Sequence, residues 1–489
     1  MIKSIRALGR RYTSTLPLTN RQFLTAPPPE SSRVTLSGWI KSVRKSKNVA
    51  FADLSDGTYG VPVSVVLAPE DAKSLLTGAC IQVSGTVQRA PAKKNDNPAN
   101  PVYEIAADKV NLLGPATKDY PLQKKFHTQE FLRTIPEYRW KTNTGAAVLR
   151  YRSQAITFFS NYFASNGFTQ VSSPLITASD CEGGGEVFQL SGGKEGPLFF
   201  GQDKKAYLSV SSQLHLEVFA GALSRVWNIA PAFRAEDSDT NRHLSEFWIV
   251  EAEIAFVNEM AQVMDVVENM VRSAVTPLLD ENNVEGQLCA RDLLAVKRDP
   301  DAKEALRERW EIVAGSPEAW PRVSYTEALD ILAKEYARDP TCFGGPANAP
   351  PQWGDSIASV HEKYLASVYF KRPVFVTDYP VDQKPFYMLL NEPEAGRQTV
   401  KCFDLLIPDI GELVGGSMRE NDLERLKLAM ERKGMDPADL EWYVKLREHG
   451  SFPHGGYGMG FERFLAFVTG QENVREVIGF PRWAGSCVC

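Results

Sequence analysis

The chain has 489 residues, of which 43% are hydrophobic and 24% are charged, and its formal net charge at pH 7 is −5. This length exceeds what one small hydrophobic core usually organises, so two or three domains are expected. The composition is ordinary for a soluble globular protein. No apolar run reaches the roughly 20 residues that a membrane-spanning helix requires, so no membrane insertion is expected.

The N-terminal segment is rich in arginine and hydroxyl side chains and contains no acidic residue before Glu30. Its basic residues are Lys3, Arg6, Arg10, Arg11 and Arg21. Because this composition is typical of mitochondrial presequences, residues 1–29 are predicted to be one, with the mitochondrial matrix as the destination. The run RRYTS resembles a cleavage site after Tyr12, and a later site is the alternative. A disordered basic tail is the alternative.

Residues 33–114 contain short, β-branched segments separated by turn residues such as Asp56 and Gly57. Five strands within about 80 residues predict a small closed barrel of the oligonucleotide-binding (OB) type. We assign residues 30–117 to this domain. Residues 118–145 mix charged and aromatic side chains without a clear period, and they are predicted to be a connector.

From residue 146 onward the pattern changes, and residues 146–489 are predicted to form a second domain. Phe159 and Phe163 recur at helical spacing before Gly167, which is a suitable residue to end a helix. Residues 284–320 carry many charges and a weak strand pattern, so they are predicted to be a helical insertion.

The stretch FRAEDSDTNRHLSEF places many charged side chains between two strand-like segments. Because side chains alternate along a strand, Arg234 and Glu236 share one face of the first strand. Phe247, Glu251 and Glu253 share one face of the second. An aromatic ring among acids and an arginine suits a platform that stacks a purine and pairs with a phosphate. A polar face on a half-exposed antiparallel sheet is the alternative.

A second pattern is HGGYGMGFERF, in which Gly456, Gly458 and Gly460 alternate before an amphipathic helix. The spacing matches neither GxGxxG nor GxxxxGK[ST], so neither a Rossmann dinucleotide site nor a P-loop is predicted. Alternating glycines in a strand allow a ligand to lie against the backbone. Arg463, in the first turn of the helix, is expected to face that ligand.

A third pattern is FDLLIPDIGELVGGSMRE, which carries Asp404, Asp409 and Glu412 ahead of two glycines and Ser417. Carboxylate oxygens are the ligands that Mg²⁺ prefers beside phosphates. Glu412, Asp404 and Ser417 are therefore the candidate metal ligands, whereas Asp409 is interpreted as a surface acid.

Three segments, in this order, resemble the three signature motifs of the class II aminoacyl-tRNA synthetases. They are LRYRSQAITFFSNYFASNGFTQVSSPLI, then FRAE with RHLSEFWIVEAE, then GYGMGFERF. With the barrel ahead of them, the chain resembles the subgroup that charges Asp, Asn and Lys, and SSQLHLE and DIGELVGGSMRE most resemble its asparagine-specific members. The resemblance implies an α+β fold, with a five-stranded OB-type anticodon-binding β-barrel followed by an antiparallel-sheet catalytic domain with surrounding helices.

The resemblance also implies an ATP site. Arg234 would bridge the α-phosphate of ATP and the carboxylate of the amino acid, Glu236 would hold the adenine amino group, and Phe247 would stack on the ring. Arg463 would clamp the γ-phosphate. The other implied ATP contacts are Arg242, His243, Glu412 and Gly460. Arg234, Arg463 and Glu412 are the implied catalytic residues, and Mg²⁺ is the implied cofactor beside ATP.

An amino-acid site is implied in the same way. Glu182, in the loop SDCEGGGEVF, would close over the substrate ammonium group, and Glu251 would hold that group or a nearby water. Arg419 would grip the side-chain oxygen of the substrate. The complete implied set is Glu182, Ser211, Gln213, Glu217, Arg234, Glu251, Ser417 and Arg419.

The choice of amino acid depends on the segment SSQLHLE. Aspartate-specific members of the subgroup carry a Lys where this chain has Leu216, and the chain offers Glu217 next to it. A carboxylate accepts a hydrogen bond from an amide NH₂ group and repels a second carboxylate. Unit charges about 4 Å apart interact with about 4 kcal/mol at an effective dielectric constant of 20, so Glu217 beside Arg419 favours asparagine over aspartate. The alternative is that Glu217 is a solvent-facing helix residue.

The barrel resembles the anticodon reader of this family. Arg44 and Phe51 lie where that surface contacts bases, and Phe51 could stack on one. The chain departs from the family pattern on the next strand, where a Gln is common and only Pro62 or Ser64 is present, so the anticodon bases that are read stay undetermined. The negative total charge does not exclude tRNA, because binding depends on a local basic face.

Taken together, the resemblance implies a mitochondrial enzyme that uses ATP to join asparagine to tRNA(Asn). A homodimer is also implied, because the first motif builds the subunit interface in the family. Three alternatives stay open at this stage. They are an aspartate-specific or relaxed enzyme, a catalytically silent RNA-binding relative, and a ligase that makes asparagine from ammonia on the same scaffold.

Overall fold

A computed structural model describes residues 16–91, 102–178, 186–191, 200, 205–238, 240–394 and 396–489. The chain forms two compact units, Met1–Arg150 and Tyr151–Cys489. The predicted cleavage site at Tyr12 and the predicted substrate contact Glu182 lie outside the described residues. Each unit is described by itself below.

The first unit contains the closed barrel that the sequence predicts. Its strands are β1 (Arg33–Lys45), β2 (Ala50–Ser55), β3 (Val63–Leu67), β4 (Cys80–Arg89) and β5 (Tyr103–Gly114). They close in the order β1-β2-β3-β5-β4, and all neighbours are antiparallel except β3 and β5. Buried and half-buried side chains alternate along β3 and along most of β4, as expected of strands that separate a core from solvent.

A short helix precedes the barrel and belongs to its core. In helix α1 (Asn20–Thr25) the Phe23 ring is fully buried against the barrel interior, and the Asn20 side chain donates to the backbone carbonyl of Leu54 at 2.7 Å. The predicted presequence of residues 1–29 therefore overlaps with folded sequence. Composition alone does not reveal this overlap, because the absence of acidic residues does not show whether a single apolar side chain is buried in the barrel.

Two truncated variants test this boundary. Removal of residues 2–29 deletes Phe23 and is expected to destabilise the barrel by about 3–5 kcal/mol, the usual cost of removing a buried phenylalanine side chain. Removal of residues 2–12 keeps Phe23 and is expected to leave the free energy of unfolding unchanged. Urea unfolding measures both, and equal stability of the two variants would contradict the placement of α1 in the core.

Four further helices lie between the barrel strands or after them. They are α2 (Pro69–Ala72), α3 (Gln129–Arg133), α4 (Pro136–Arg139) and α5 (Asn143–Ser165). Helix α5 is the predicted helix, and the rings of Phe159 and Phe163 on it are fully buried. Gly167 follows its end with φ +75°, a backbone conformation that favours glycine. The boundary between the two compact units falls within α5.

The second unit is built on a mixed eight-stranded sheet, beside which lies a separate two-stranded sheet. The strands of the two sheets are β6 (Thr169–Gln170), β7 (Ile176–Thr177), β8 (Tyr207–Leu208), β9 (Arg225–Phe233), β10 (Glu246–Ala255), β11 (Arg322–Ser324), β12 (Val374–Thr377), β13 (Cys402–Ile407), β14 (Gly411–Met418) and β15 (His454–Gly460). The order is β11-β12-β13-β14-β15-β10-β9-β6, and β7 pairs separately with β8. The six central strands are antiparallel as predicted, whereas β11 and β6 join the edges in parallel.

Helices surround this sheet. They are α6 (Gln213–Leu223), α7 (Met260–Leu279), α8 (Val284–Ala295), α9 (Pro300–Ala314), α10 (Tyr325–Arg338), α11 (Ser359–Lys363), α12 (Leu423–Arg432), α13 (Glu441–Val444) and α14 (Phe461–Thr469). Helices α8 and α9 occupy most of the segment 284–320. None of the described helices is long and apolar enough to cross a membrane.

Candidate active site

Strand β15 carries the alternating glycines and lies against β10. Gly458 pairs with Glu251, and Gly456 pairs with Glu253. A Cβ atom on Gly456 would lie 2.4 Å from the backbone carbonyl oxygen of Ala252 and 1.9 Å from Glu253 Oε2, so this position is compatible only with glycine. Gly460 ends the strand directly before α14. Glu251 and Glu253 therefore lie beside backbone atoms that no side chain covers, and they share one strand face as the alternation in the sequence predicted.

Strands β13 and β14 bring two of the predicted metal ligands together. A β-bulge shifts their register between Leu405 and Leu406. A Cβ atom on Gly415 would lie 3.5 Å from Glu412 Oε1 and 3.6 Å from Asp404 Oδ1. The two carboxylates thus converge over the position where any other residue would carry a side chain. This pair of oxygen donors fits a hard divalent cation such as Mg²⁺.

A third carboxylate and a lysine adjoin this pair, and neither was predicted. Glu362, on α11, accepts a hydrogen bond from the backbone N–H of Glu412 at 3.3 Å. Lys384 donates to both oxygens of Asp404, at 3.0 and 2.8 Å. Burial raises the pKa of Glu362, and the nearby Glu412 carboxylate raises it further. We call Asp404, Glu412 and Glu362 the acid cluster.

Two arginines face the acid cluster. Arg463 Nη1 donates to the backbone carbonyl of Glu412 at 3.0 Å and lies 3.3 Å from Glu412 Oε2. Arg242 Nη2 lies 3.5 Å from Glu362 Oε2. Burial by itself would raise the pKa of Glu412, but the charges of Arg463 and Lys384 hold that pKa below its ordinary value. Glu412 is therefore ionised at neutral pH and balanced by cations.

The loop end of the β9–β10 hairpin presents a cation, an acid and an aromatic ring together. The guanidinium carbon of Arg234 lies 5.6 Å from the centroid of Phe247, and Arg234 Nη1 lies 3.8 Å from Glu236 Oε1. Glu236 Oε2 is in turn 3.7 Å from His243 Nε2. Burial lowers the pKa of His243 despite the Glu236 carboxylate, which favours a neutral imidazole at neutral pH. Arg234, Glu236 and Phe247, the residues of the predicted purine platform, are thus neighbours in the structure.

Arg419 is buried and fully engaged by its neighbours. Its Nε and Nη2 donate to the two oxygens of Glu253 at 3.1 and 2.9 Å. Its Nη1 donates to Ser417 Oγ at 2.7 Å, and its guanidinium lies 5.4 Å from the ring centroid of Tyr387. The sequence assigned Ser417 to the metal ligands as well. In the structure the Ser417 hydroxyl accepts a hydrogen bond from Arg419, two residues further along the chain.

Glu217 is buried, with 2% of its surface exposed, so its interpretation as a solvent-facing helix residue is wrong. It accepts hydrogen bonds from Arg447 Nη2 at 2.7 Å, from Tyr443 Oη at 2.8 Å and from His454 Nε2 at 3.1 Å. Burial would raise its pKa, but the Arg447 charge and the His454 hydrogen bond hold it far below its ordinary value. Arg419 Nε lies 4.0 Å away.

Two carboxylates and two guanidiniums therefore balance one another under the cleft. We call Glu217, Glu253, Arg419 and Arg447 the ion network. Oxygen and nitrogen atoms of Glu217, Glu253 and His454 come within 4.8 Å of one another, a grouping that could suit a metal ion. Because the guanidiniums already engage both carboxylates, this part of the described structure is a salt-bridge network and not a metal centre.

The remaining predicted amino-acid contacts border the ion network. Glu251 Oε1 accepts from Ser211 Oγ at 2.5 Å, and its Oε2 accepts from the backbone N–H of Ser212 at 2.9 Å. Burial raises the pKa of Glu251, although these donors and Arg234 oppose the shift. Gln213 Nε2 donates to Glu217 Oε1 at 3.2 Å. Within the second unit the described predicted contacts are thus connected through neighbouring side chains.

On the barrel, the predicted tRNA contacts are neighbours. Arg44 and Phe51 face each other across β1 and β2, and the guanidinium carbon lies 5.9 Å from the ring centroid. Ser64, which stands where the family commonly has Gln, lies 3.5 Å from Glu104 Oε2. Gln88, on β4, donates to Glu104 Oε1 at 2.8 Å. The outer face of the barrel thus combines an exposed cation, a ring and amide or carboxylate groups.

Several residues of the cleft were missed by the sequence interpretation. They are Glu253, Glu362, Lys384, Tyr387, Tyr443, Arg447 and His454. Glu253 could have been assigned, because strand alternation already placed it on the same face as Glu251. His454 is the first residue of the glycine pattern HGGYGMGFERF, so it lies on β15 itself. The remaining residues lie on segments that only the tertiary fold brings together, so no spacing in the sequence points to them.

Comparisons with known proteins agree with this geometry. The family described as "tRNA synthetases class II (D, K and N)" matches residues 133–484, and "OB-fold nucleic acid binding domain" matches residues 34–113. The mitochondrial asparagine–tRNA ligase of Saccharomyces cerevisiae is 40% identical over 476 residues, which cover 93% of each chain. The mitochondrial asparagine–tRNA ligase of Schizosaccharomyces pombe is 39% identical, covering 94% of this chain and 96% of the relative.

Solved structures give the same result. The asparaginyl-tRNA synthetase from Pyrococcus horikoshii complexed with asparaginyl-adenylate matches with a TM-score of 0.80 and 28% identity, covering 97% of this chain and 100% of that chain. The Entamoeba histolytica asparaginyl-tRNA synthetase in complex with asparaginyl-adenylate matches with a TM-score of 0.76 and 26% identity, covering 94% and 98%.

A glycine-lined antiparallel sheet that carries these arginines and carboxylates, preceded by an OB barrel, defines a class II tRNA synthetase. Within that class, the chain belongs to the asparagine–tRNA ligase family. It is thus an aminoacyl-tRNA ligase, and of the alternatives left open by the sequence, the aspartate-specific and silent ones are not supported.

Proposed function

We propose that the chain activates asparagine with ATP, releases pyrophosphate, and transfers the asparaginyl group to the 3′-end of tRNA(Asn) in the mitochondrial matrix. The observation that carries this proposal is the convergence of Arg234, Phe247, Glu412 and Arg463 with the ion network around one cleft. Arg234 links the two halves of the cleft, because its charge acts on both Glu251 and Glu412.

The first step needs no general base. The carboxylate of the amino acid is already a nucleophile at neutral pH, and the barrier arises from its approach to an anionic phosphate. Arg234 would bridge these two anions, while Arg242 and Arg463 would neutralise the outer phosphates. Positioning and fixed positive charge are therefore the catalytic contributions of the protein.

The acid cluster has the donors that a magnesium ion requires. Asp404 and Glu412 would hold Mg²⁺, since their oxygens converge over Gly415. When bound, the ion supplies further neutralisation of phosphate charge. The residues that orient the nucleotide beside it are Phe247, under the adenine ring, and Glu236, at the adenine amino group.

Selection of asparagine follows from the charge balance of the ion network. Glu217 and Glu253 offset Arg419 and Arg447, so the network is neutral as a unit. An amide side chain adds no charge and can use an Arg419 N–H for its oxygen. The carboxylate of aspartate adds an unbalanced negative charge close to Glu217, which costs about 4 kcal/mol at 4 Å and a dielectric constant of 20.

Amino-acid-dependent ATP–pyrophosphate exchange tests the proposal, using protein that lacks residues 2–12. Exchange with asparagine is expected to exceed exchange with aspartate roughly thousandfold at equal concentration, because about 4 kcal/mol corresponds to about three decades. Faster exchange with aspartate would refute the proposed specificity. An ammonia-dependent synthesis of free asparagine without tRNA would indicate the alternative ligase instead.

Barrel residue Phe51 provides a prediction for tRNA binding. Phe51→Ala is expected to raise the KM for tRNA(Asn) roughly 10- to 100-fold, because stacking of one base on an aromatic ring contributes about 1–3 kcal/mol. Pyrophosphate exchange should stay unchanged, since it requires no tRNA. Val61→Ala, an exposed apolar residue between β2 and β3, is the control variant. An unchanged KM in Phe51→Ala would remove Phe51 from the tRNA site.

A homodimer is the proposed assembly. Support comes from exposed apolar side chains: directly after β10, Phe256 is 67% exposed, and its ring lies 5.6 Å from that of Phe452. Leu223, at the end of α6, is also exposed. Exposed apolar surface of this kind is typical of subunit interfaces. Sedimentation equilibrium is expected to give twice the chain mass, and a monomer at micromolar concentration would contradict the proposal.

A further inference from the structure

Lys384 is a buried cation that none of the sequence motifs contains. It follows a 3-10 helix at Val381–Gln383 and donates to both oxygens of Asp404, at 3.0 and 2.8 Å. Only 16% of its side chain and 15% of that of Asp404 are exposed. A lysine held against both oxygens of one carboxylate leaves that carboxylate little capacity for another cation.

The position of the ammonium group is fixed by more than this pair. Lys384 Nζ lies 4.1 Å from the ring centroid of Tyr379, a buried tyrosine, so the ring face provides a second attraction. The Val400 N–H donates to the backbone carbonyl of Tyr379 at 3.0 Å, which ties this segment to the neighbouring strand. Burial disfavours the charged ammonium, yet the Asp404 carboxylate holds the pKa of Lys384 above its ordinary value.

Each carboxylate of the acid cluster has its own cation. Asp404 has Lys384, Glu412 has Arg463, and Glu362 has Arg242. The two arginines are the proposed phosphate contacts, so a bound nucleotide gives them new anionic partners. Lys384 has no such role, and its charge stays beside Asp404 and Glu412 in the free protein.

We propose that Lys384 is an internal counter-ion that keeps divalent cations away from Asp404 and Glu412 until a nucleotide is bound. This inference rests on the proposed function. The free protein then binds the ion weakly, and the ion enters together with the nucleotide phosphates, whose negative charge outweighs that of the ammonium group. Lys384 is thus a positioning residue that sets the order of metal and nucleotide binding.

Titration of the nucleotide-free protein with Mn²⁺, followed by the electron paramagnetic resonance signal of unbound Mn²⁺, tests this inference. The wild type is expected to bind Mn²⁺ only at millimolar concentration. Lys384→Met should bind at least tenfold more tightly, because both oxygens of Asp404 become available. The double variant K384M/D404N should lose that gain. Lys427→Met removes a surface lysine from its glutamate partner on α12 and is the matched control.

Two outcomes would overturn the inference. One is unchanged Mn²⁺ affinity in Lys384→Met, and the other is tight Mn²⁺ binding by the wild type without nucleotide. If Lys384→Met does not fold, Lys384→Arg replaces it as the test variant. This variant retains the positive charge and should bind Mn²⁺ as weakly as the wild type. Tight Mn²⁺ binding by Lys384→Arg would also overturn the inference. These titrations contain neither asparagine nor ATP. They therefore test the inference about Lys384 independently of the pyrophosphate exchange assay, which tests the proposed function.

Discussion

Arg234→Ala is expected to lower asparagine-dependent pyrophosphate exchange roughly thousandfold, the upper range for removing one preorganised donor from a transition state. The reason is that Arg234 stands over Phe247 and beside Glu236, where it would meet both the nucleotide and the amino acid. Because no covalent chemistry by the protein is proposed, the loss should appear in kcat as well as in KM. Exchange kinetics over a range of ATP and asparagine concentrations separates the two.

The matched control is Arg225→Ala, at the other end of strand β9. Arg225 is exposed and donates to the backbone carbonyl of Asn166 at 2.9 Å, so its removal should change exchange less than twofold. Arg234→Ala should still bind tRNA, since the proposed tRNA contacts lie in the barrel. Normal exchange by Arg234→Ala would exclude the role assigned to it, whatever its tRNA affinity.

Arg419→Lys is the second variant with a large expected effect. Lysine keeps the charge but cannot engage both oxygens of Glu253 and the hydroxyl of Ser417 at the same time. The exchange rate with asparagine is expected to fall at least about 100-fold, because the oxygen of the amide loses an oriented donor, worth about 2–3 kcal/mol as a charge-assisted hydrogen bond. A loss of stability of similar size should accompany it, measured by urea unfolding.

A surface arginine distinguishes this effect from a general Arg-to-Lys effect. Arg372 Nη1 lies 3.2 Å from Glu318 Oε2, and both side chains are solvent-exposed. Arg372→Lys is expected to change stability by less than about 1 kcal/mol, because exposed ion pairs contribute little. If Arg419→Lys behaved like Arg372→Lys in both assays, Arg419 would not be the side-chain contact of the substrate.

The sequence predicts the parts of this fold that rest on local periodicity. Alternation along β10 places Glu251 and Glu253 on one face, and the structure pairs them with the alternating glycines of β15, Gly458 and Gly456. These predictions succeed because a strand has a side-chain period of two, whatever the rest of the chain does. The five barrel strands were recognisable for the same reason.

Other features of the site depend on contacts between residues that are far apart in the sequence, and local patterns do not predict such contacts. Glu362 and Lys384 reach the acid cluster from a short helix and a loop, and Arg447 reaches Glu217 from a segment of short helical turns. That segment consists of 3-10 turns on either side of α13. Its inward-facing Tyr443 and Arg447 satisfy the buried Glu217 carboxylate, a partner 230 residues away from Arg447.

The paired charges beneath the cleft restrict how this enzyme could be redesigned. Exchanging Glu217 for a neutral residue, in order to admit an acidic amino acid, would leave Arg447 buried without its carboxylate, and breaking such a pair typically costs about 3–5 kcal/mol in stability. A shift of substrate preference by stepwise substitution therefore passes through poorly folded intermediates. Viable routes to a new substrate must alter an acid and its basic partner in the same step.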